Sequence, residues 1–189
     1  PGEPAGIGPD LIIKLASSKS WEDFRVPVVI IGDPNLFLNR AKLIKKRLNI
    51  AEISSLDDVR KNKLATIQVI KVSECKSTAA GKLLKSNARY VLDNLDYAIK
   101  QTINEQDVAL VTGPLNKETI ISIDNKFTGH TEYIQKLTKS DDVLMMLASD
   151  KLRVAIATTH IPLRKVAGKI TKDLIMNKVK ILNKDLKEK

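Results

Sequence analysis

Hydrophobic and polar positions alternate in blocks along the chain, and each block has the period of one kind of element. Stretches with apolar residues at helical spacing cover residues 35–48, 80–103 and 174–186 and predict amphipathic helices. Short, nearly continuous apolar runs predict buried strands at residues 26–31, 66–72, 108–112, 143–148 and 152–158. Because strands and helices follow each other in turn, the pattern predicts an α/β fold with a largely parallel sheet.

Composition indicates a folded chain in a reducing compartment. Of the 189 residues, 43% are hydrophobic, which is enough to bury a core and excludes a disordered chain. The single cysteine, Cys75, has no CxxC partner and cannot form an internal disulfide. No apolar run approaches the roughly 18 residues that a membrane span needs, and the first residues do not resemble a signal peptide. We expect a soluble, cytoplasmic protein without a membrane partner.

The chain carries a strong positive charge. Its 32 lysine and arginine residues give a formal net charge of +10 against 22 aspartate and glutamate residues, which suits a nucleic acid, an anionic membrane surface or a small anionic substrate. The lysines are dispersed over nearly every segment and only 4% of residues are aromatic, so the sequence has no basic stripe with stacking residues. We therefore expect a small anionic ligand and no nucleic acid.

The first candidate for chemistry is a glycine-rich segment at residues 2–10. Gly6 and Gly8 let the backbone approach a ligand, and Pro9 suits the first turn of a helix. A helix N-terminus that follows glycines favours an anion. The spacing is not the GxGxxG of a Rossmann fingerprint, and a tight turn without a ligand explains this segment equally well.

The second candidate follows the predicted strand at residues 108–112. Thr112 and Gly113 form a small-residue turn, and Asn116 and Lys117 are polar groups that would start a helix. In open α/β sheets, ligands collect at the carboxyl ends of strands. Asn116 as a simple helix cap and Lys117 as a solvated cation remain an equal alternative.

The third candidate is His130 with Thr131, which follow Gly129 just before a predicted helical run. An imidazole and a hydroxyl at a helix start can both hydrogen-bond an anionic or hydroxylated substrate. The alternative is that Thr128 or Thr131 only caps the helix.

The second of the chain's two histidines, His160, follows the predicted strand at residues 152–158 and precedes Pro162. A histidine at the carboxyl end of a buried strand is well placed as a metal ligand or as an acid or base. A lone histidine is more often a hydrogen-bonded structural residue, and no HxxH, HxxxH or CxxC motif completes a metal site in this sequence. A metal here needs ligands from another subunit or from beyond residue 189.

Taken together, four segments resemble the family of 4-hydroxythreonine-4-phosphate dehydrogenases: PGEPAGIGP at residues 1–9, TGPLNK at 112–117, FTGHTE at 127–132 and TTHIPLR at 158–164. They occur in the family's order and approximate spacing. The resemblance implies a three-layer α/β/α fold like that of isocitrate and isopropylmalate dehydrogenases, with two domains flanking a cleft. A polar break at residues 123–126, just before Phe127, predicts the boundary between a first domain at residues 1–126 and the start of a second, incomplete domain at residues 127–189.

The resemblance also implies an activity. Members oxidise 4-phosphohydroxy-L-threonine at C3 with NAD or NADP, and the product loses CO₂ to give 3-amino-2-oxopropyl phosphate for pyridoxal 5′-phosphate biosynthesis. By the same resemblance, His130 and Thr131 contact this small phosphorylated substrate, and His160 binds a divalent metal, Zn²⁺ or alternatively Mg²⁺ or Co²⁺. Such a cation stabilises the alkoxide and polarises the ketone. The implied partner is a second copy of the chain, in a homodimer with shared active sites. Cofactor-binding or site-lining roles fall to Gly6, Gly8, Thr112, Gly113, Asn116 and Lys117.

Three other functions stay open at this point. A related dehydrogenase would act on another 4-phosphorylated hydroxy acid, and an acyltransferase of the phosphotransacetylase type would act without a metal. The third is an inactive fragment that only binds or dimerises. The family pattern continues into a segment with two more metal-binding histidines and basic phosphate-binding residues, and these 189 residues do not contain it. We therefore expect the chain alone not to assemble the three-histidine site.

Overall fold

The structure is a computed structural model that describes residues 1–76, 78–105 and 107–188. The chain forms two compact units, Pro1–Thr138 and Lys139–Lys189. Within the described residues, no helix is both long and apolar enough to cross a membrane.

The first unit is a mixed α/β structure around a parallel sheet of three strands in the order β1-β3-β2. Val29 of β1 pairs with Gln68 of β3, and Ile50 of β2 pairs with Ile67 of β3. In chain order its elements are α1 (Gly8–Ala16), α2 (Ser20–Asp23), β1 (Val29–Ile31), α3 (Pro34–Leu43), β2 (Asn49–Glu52), β3 (Thr66–Ile70), α4 (Ala88–Asn104), α5 (Lys117–Ile121) and α6 (His130–Thr138).

The central strand β3 is buried because α1 and α3 pack against it. Ile67 and Val69 are fully buried in a cluster with Ile13 of α1 and Phe37 of α3. Trp21 closes this core, and its indole N–H donates to the carbonyl oxygen of Thr66 at 3.0 Å. Each such large apolar side chain contributes roughly 1.5–3 kcal/mol when it leaves water.

A second cluster joins the helices that follow the sheet. Tyr90 and Val91 of α4 pack with Leu36 of α3, Ile120 of α5 and Phe127. Because Phe127 stands just before α6, this cluster fixes the start of α6 against α4 and α5.

The second unit contains an antiparallel pair and two helices: β4 (Met145–Ala148), β5 (Arg153–Ile156), α7 (Leu163–Lys169) and α8 (Lys172–Glu188). The Lys178 ammonium donates to both carboxylate oxygens of Asp142 at 2.7 and 2.8 Å and to the carbonyl oxygen of Val143 at 2.7 Å. In this unit, none of the residues whose burial the structure describes is buried, and Leu147 is 62% exposed.

Four of the five predicted strands are confirmed with shorter bounds, as β1, β3, β4 and β5. The predicted strand at residues 108–112 is wrong: this segment is irregular and Val111 is 91% exposed. An apolar run becomes a strand only when a neighbour pairs with it, and in the described part of the chain this run has none. The short strand β2 was missed because only its two middle residues are apolar.

The three predicted helices are present as α3, α4 and α8, with different ends. The helix predicted at 35–48 ends at Leu43, because Lys45 takes a left-handed backbone with φ of 55°. The helix predicted at 80–103 begins only at Ala88, after a turn and a short 3-10 segment.

Among the described residues, the parallel sheet lies in the first unit, and β4 and β5 of the second unit pair antiparallel. The prediction that β4 and β5 are buried is wrong, because no described residue of their unit covers them. Contacts divide the chain between Thr138 and Lys139, and Phe127 is part of the core of the first unit. The domain boundary between residues 126 and 127 stays a prediction about the family fold.

Candidate functional site

Three of the four singled-out segments meet in the first unit. The glycine-rich segment at residues 2–10 lies on the turn at Gly113 and Pro114, where the backbone N–H of Glu3 donates to the carbonyl oxygen of Pro114 at 2.9 Å. A Cβ added to Gly113 or to Gly8 would overlap the carbonyl oxygen of Pro1. The glycines of the first two candidate segments therefore serve a close approach of one backbone to the other.

The side chain of Arg40 holds the glycine-rich segment against α3. This side chain is only 5% exposed. It donates to the carbonyl oxygens of Pro4 at 2.9 Å and Gly6 at 3.1 Å, and to the Asp10 carboxylate at 2.6 Å. A buried guanidinium is tolerated when its donors are satisfied in this way. The path of the loop through Gly6 into α1 is therefore fixed, and the prediction that Pro9 lies in the first turn of that helix is confirmed.

Asn116 and Lys117 begin α5. The side-chain oxygen of Asn116 accepts from the backbone N–H of Thr119 at 2.8 Å and from its hydroxyl at 3.0 Å, so its role as a helix cap is confirmed. Lys117 is exposed in the first turn, and its Cε and Nζ atoms both lie 3.6 Å from the position that a Cβ of Gly129 would take. Lys117 thus lies beside the turn that leads to His130. Thr112, one residue before Gly113, is exposed.

His130 and Thr131 are the first two residues of α6, and both are half-buried. Burial, and after it the positive charge of Lys117, lower the pKa of His130 below its ordinary value. The imidazole is therefore neutral at pH 7 and presents one donor and one acceptor nitrogen. The Glu132 carboxylate comes within 3.1 Å of the Cβ position on Gly129, so its negative charge also lies at this turn.

Two side chains that the sequence did not single out hold α6 in place. The Tyr133 hydroxyl donates to the Asp96 carboxylate of α4 at 2.6 Å, and the Tyr133 ring lies 5.3 Å from that of Phe127. Burial and the hydrogen bond to Asp96 raise the pKa of Tyr133. Arg40 was also missed, because its partners are 30 to 36 residues away in sequence and no local pattern connects them.

Cys75 lies near an open groove of about 790 Å³ beside α3, which Asp33, Asn39, Arg40 and Lys76 also line. Its half-buried thiol faces the side-chain oxygen of Asn87 at 3.7 Å. Burial, followed by the negative charges of Asp33 and Glu3, raises the pKa of this thiol to about 12. A thiol that stays protonated is a poor nucleophile, so Cys75 behaves as a small, half-buried apolar side chain.

His160 belongs to the second unit. The expectation that it ends a buried strand is wrong: β5 ends at Ile156, and His160 is exposed in the loop that follows. Its backbone is left-handed, with φ of 56°, a conformation that costs a non-glycine residue on the order of 1 kcal/mol and recurs at functional sites. Among the described residues, no three His, Cys, Asp or Glu side chains converge as a metal site would require. A metal-ligand role for His160 stays a prediction.

Two solved structures have this α/β fold. A 4-hydroxythreonine-4-phosphate dehydrogenase from Klebsiella pneumoniae superposes with a TM-score of 0.88 at 28% identity, over 98% of this chain and 56% of that one. The corresponding enzyme from Burkholderia phymatum gives a TM-score of 0.85 at 26% identity, over 95% and 54% of the two chains. The fold is therefore one found in oxidoreductases.

Sequence comparison narrows this class to a family. Residues 23–189 match the family model described as pyridoxal phosphate biosynthetic protein PdxA, and the chain belongs to that family. A curated 4-hydroxythreonine-4-phosphate dehydrogenase from Serratia proteamaculans (strain 568) is 39% identical over all 189 residues. The chain spans 56% of the length of that relative.

Proposed function

We propose that this chain supplies the part of a 4-hydroxythreonine-4-phosphate dehydrogenase that binds the phosphorylated substrate. The proposed reaction is oxidation of 4-phosphohydroxy-L-threonine at C3 by NAD or NADP, followed by decarboxylation to 3-amino-2-oxopropyl phosphate in pyridoxal 5′-phosphate biosynthesis. The observation that carries the proposal is the meeting of Lys117 with the Gly129 turn and His130, in a chain that belongs to the family.

This part of the first unit suits an anion. The ammonium of Lys117 and the N-terminus of α6 both place positive charge beside His130 and Thr131. The neutral imidazole and the Thr131 hydroxyl can donate to substrate oxygen atoms without adding charge. Glu132 limits the excess of positive charge at the turn. A substrate with a phosphate or carboxylate and a nearby hydroxyl matches these groups.

A bound divalent metal would stabilise negative charge on the substrate oxygen, and NAD or NADP would accept the hydride. His160 is the residue of this chain that we propose as a ligand for Zn²⁺, or alternatively Mg²⁺ or Co²⁺. The described residues alone do not fit a complete metal site, because they bring no group of three ligands together.

The proposal extends to the layers of the complete fold and to its assembly. We expect the chain to contribute to a three-layer α/β/α fold with two domains and a cleft, and to function as a homodimer with shared sites in the cytoplasm. The lack of buried residues in the described part of the second unit supports this expectation, since exposed apolar side chains such as Leu147 and Val154 require a covering surface.

Formation of NADH or NADPH from 4-phosphohydroxy-L-threonine, followed by absorbance with and without a chelator, tests the proposal. The intact mass of the protein must be determined on the same sample. We expect metal-dependent turnover from a chain with the length of the relatives. A chain of that length that binds metal and cofactor but forms no reduced cofactor would contradict the proposal.

A second candidate is a binding module without turnover. It is favoured by the absence of a three-ligand metal cluster among the described residues. Calorimetry and a turnover assay on a chain with the length of the relatives separate the two, because binding of 4-phosphohydroxy-L-threonine without reduced cofactor supports the module and turnover excludes it.

A further inference from the structure

The hydrogen bond between Tyr133 and Asp96 joins two helices at the edge of the proposed substrate site. Tyr133 belongs to α6 and Asp96 to α4, and the hydroxyl and carboxylate oxygens are 2.6 Å apart. A hydrogen bond to a charged acceptor is stronger than a neutral one. Asp96 is half-buried, so water screens this bond only in part.

Tyr133 lies one helical turn after His130. Residues three apart in an α-helix are on the same face, and the backbone N–H of Tyr133 closes the first turn of α6 on the carbonyl oxygen of Gly129 at 3.1 Å. A tie at Tyr133 therefore restrains the turn that contains His130 and Thr131. The tilted contact of the Tyr133 and Phe127 rings restrains the same turn through the core.

The environment of His130 depends on where this turn lies. Burial is the largest cause of its lowered pKa, and Lys117 is the second. Asp96 is not a direct cause of that shift, so a change at Asp96 reaches His130 only through the position of α6.

We propose that Tyr133 and Asp96 are a pair of positioning residues that hold His130 and Thr131 in the substrate-binding arrangement. The pair acts through the helix and does not touch the substrate. The role in substrate binding rests on the proposed function. The effect of the pair on the position of His130 does not, and it can be measured without a substrate.

The test is an NMR titration of the two imidazoles of the 189-residue chain, with the signals assigned by a His160→Gln variant. Tyr133→Phe removes only the hydroxyl, and Asp96→Ala removes the acceptor. In both variants we expect the pKa of His130 to rise towards its ordinary value of about 6.5, because the imidazole becomes more exposed. Asp96→Asn keeps an oxygen acceptor, so the pKa of His130 in this variant should stay close to that of the unmodified chain.

Tyr97→Phe is the matched control, since Tyr97 is a half-buried tyrosine of the same helix as Asp96 and its hydroxyl has no partner among the described residues. It should leave the titration of His130 unchanged. If Tyr133→Phe and Asp96→Ala leave His130 unchanged while the variants stay folded, or if Tyr97→Phe shifts it equally, the inference is wrong. Should Tyr133→Phe fail to fold, the pKa of His130 in Asp96→Ala and Asp96→Asn is compared instead. A higher pKa in Asp96→Ala supports the inference, and equal pKa values contradict it.

The substrate is then added to the same samples. Weaker binding of 4-phosphohydroxy-L-threonine to Tyr133→Phe than to Tyr97→Phe supports a positioning role, and equal binding contradicts it. A failure of the unmodified chain to bind would contradict the proposed function, while the titration without substrate would still test the positioning of His130.

Discussion

The guanidinium of Arg40 lies 2.6 Å from the carboxylate of Asp10, with side chains that are 5% and 22% exposed. The same guanidinium donates to two carbonyl oxygens of the glycine-rich segment. One side chain of α3 therefore fixes both the loop and the helix α1 that follows it. This arrangement connects the sheet core to the turn at Gly113 and Pro114, on which the loop lies.

Arg40→Met should destabilise the chain by roughly 3 kcal/mol, because it leaves Asp10 without its buried partner and two carbonyl groups without donors. Urea unfolding measures the change. Arg47→Met is the control: Arg47 is exposed and makes no hydrogen bond or ion pair among the described residues, so it should shift stability by less than about 0.5 kcal/mol. Equal stability of the two variants would mean that the loop is held by other contacts.

The close approach at Gly113 predicts a second stability effect. Gly113→Ala should be strongly destabilising, because the added methyl group overlaps the backbone of Pro1 and backbone cannot yield cheaply. Gly168→Ala is the matched control, since this glycine is inside α7 with open space around it, and alanine there should stabilise by up to about 1 kcal/mol. Thermal unfolding of both variants gives the comparison. A tolerated alanine at Gly113 would show that the loop and the turn are not in contact.

The first turn of α6 predicts a dependence on pH. The pKa of His130 is lowered by burial and by Lys117, so as pH falls below about 6.5 the unfolded chain takes up a proton at this residue before the folded chain does. The free energy of unfolding is therefore unaffected by this group above the unfolded pKa and decreases as pH falls from the unfolded pKa to the folded pKa.

Lys117→Met should raise the pKa of His130 and reduce this loss, because it removes the nearby positive charge. NMR titration of His130 and urea unfolding at several pH values measure the two effects. Lys126→Met, which changes another exposed lysine of the unit, is the control for net charge. If the pKa of His130 is the same in Lys117→Met as in the unmodified chain, Lys117 is not part of the site around His130.

The end of α3 offers a stabilising change. The N–H groups of Lys45 and Lys46 donate to the carbonyl oxygens of Lys42 and Ala41 in a Schellman arrangement, but the left-handed position is occupied by Lys45 rather than glycine. Lys45→Gly should raise stability by about 1 kcal/mol, because glycine adopts φ of 55° without strain. Lys42→Gly, inside the last turn of α3, should instead lower stability by a similar amount. Chemical denaturation should give changes in the free energy of unfolding of opposite sign for the two variants.

The sequence predicts elements whose signal is local and misses contacts that are distant in sequence. Pro9 marks the start of α1, and Asn116 caps α5, because each effect lies within one turn of helix. The run that ends at Val111 shows the limit of this reasoning, since its apolar composition fits a strand and only a pairing partner could make it one.

The same limit applies to the candidate site. His130 could be singled out because it is one of two histidines and follows a glycine turn. That Lys117 comes to the Gly129 turn depends on the packing of Phe127 and Ile120 on α4, which no spacing of residues reveals. His160 lies in the second unit, and the structure leaves its predicted role as a metal ligand open.

Whether the first turn of α6 binds substrate is decided by a titration of the 189-residue chain with 4-phosphohydroxy-L-threonine, followed on the NMR signal of His130. We expect a saturable shift of the His130 signal that weakens when Lys117 is replaced by methionine and remains when Lys126 is replaced. No shift of His130 at saturating millimolar substrate, in a chain that is shown to be folded, would contradict the assignment of this turn as the substrate site.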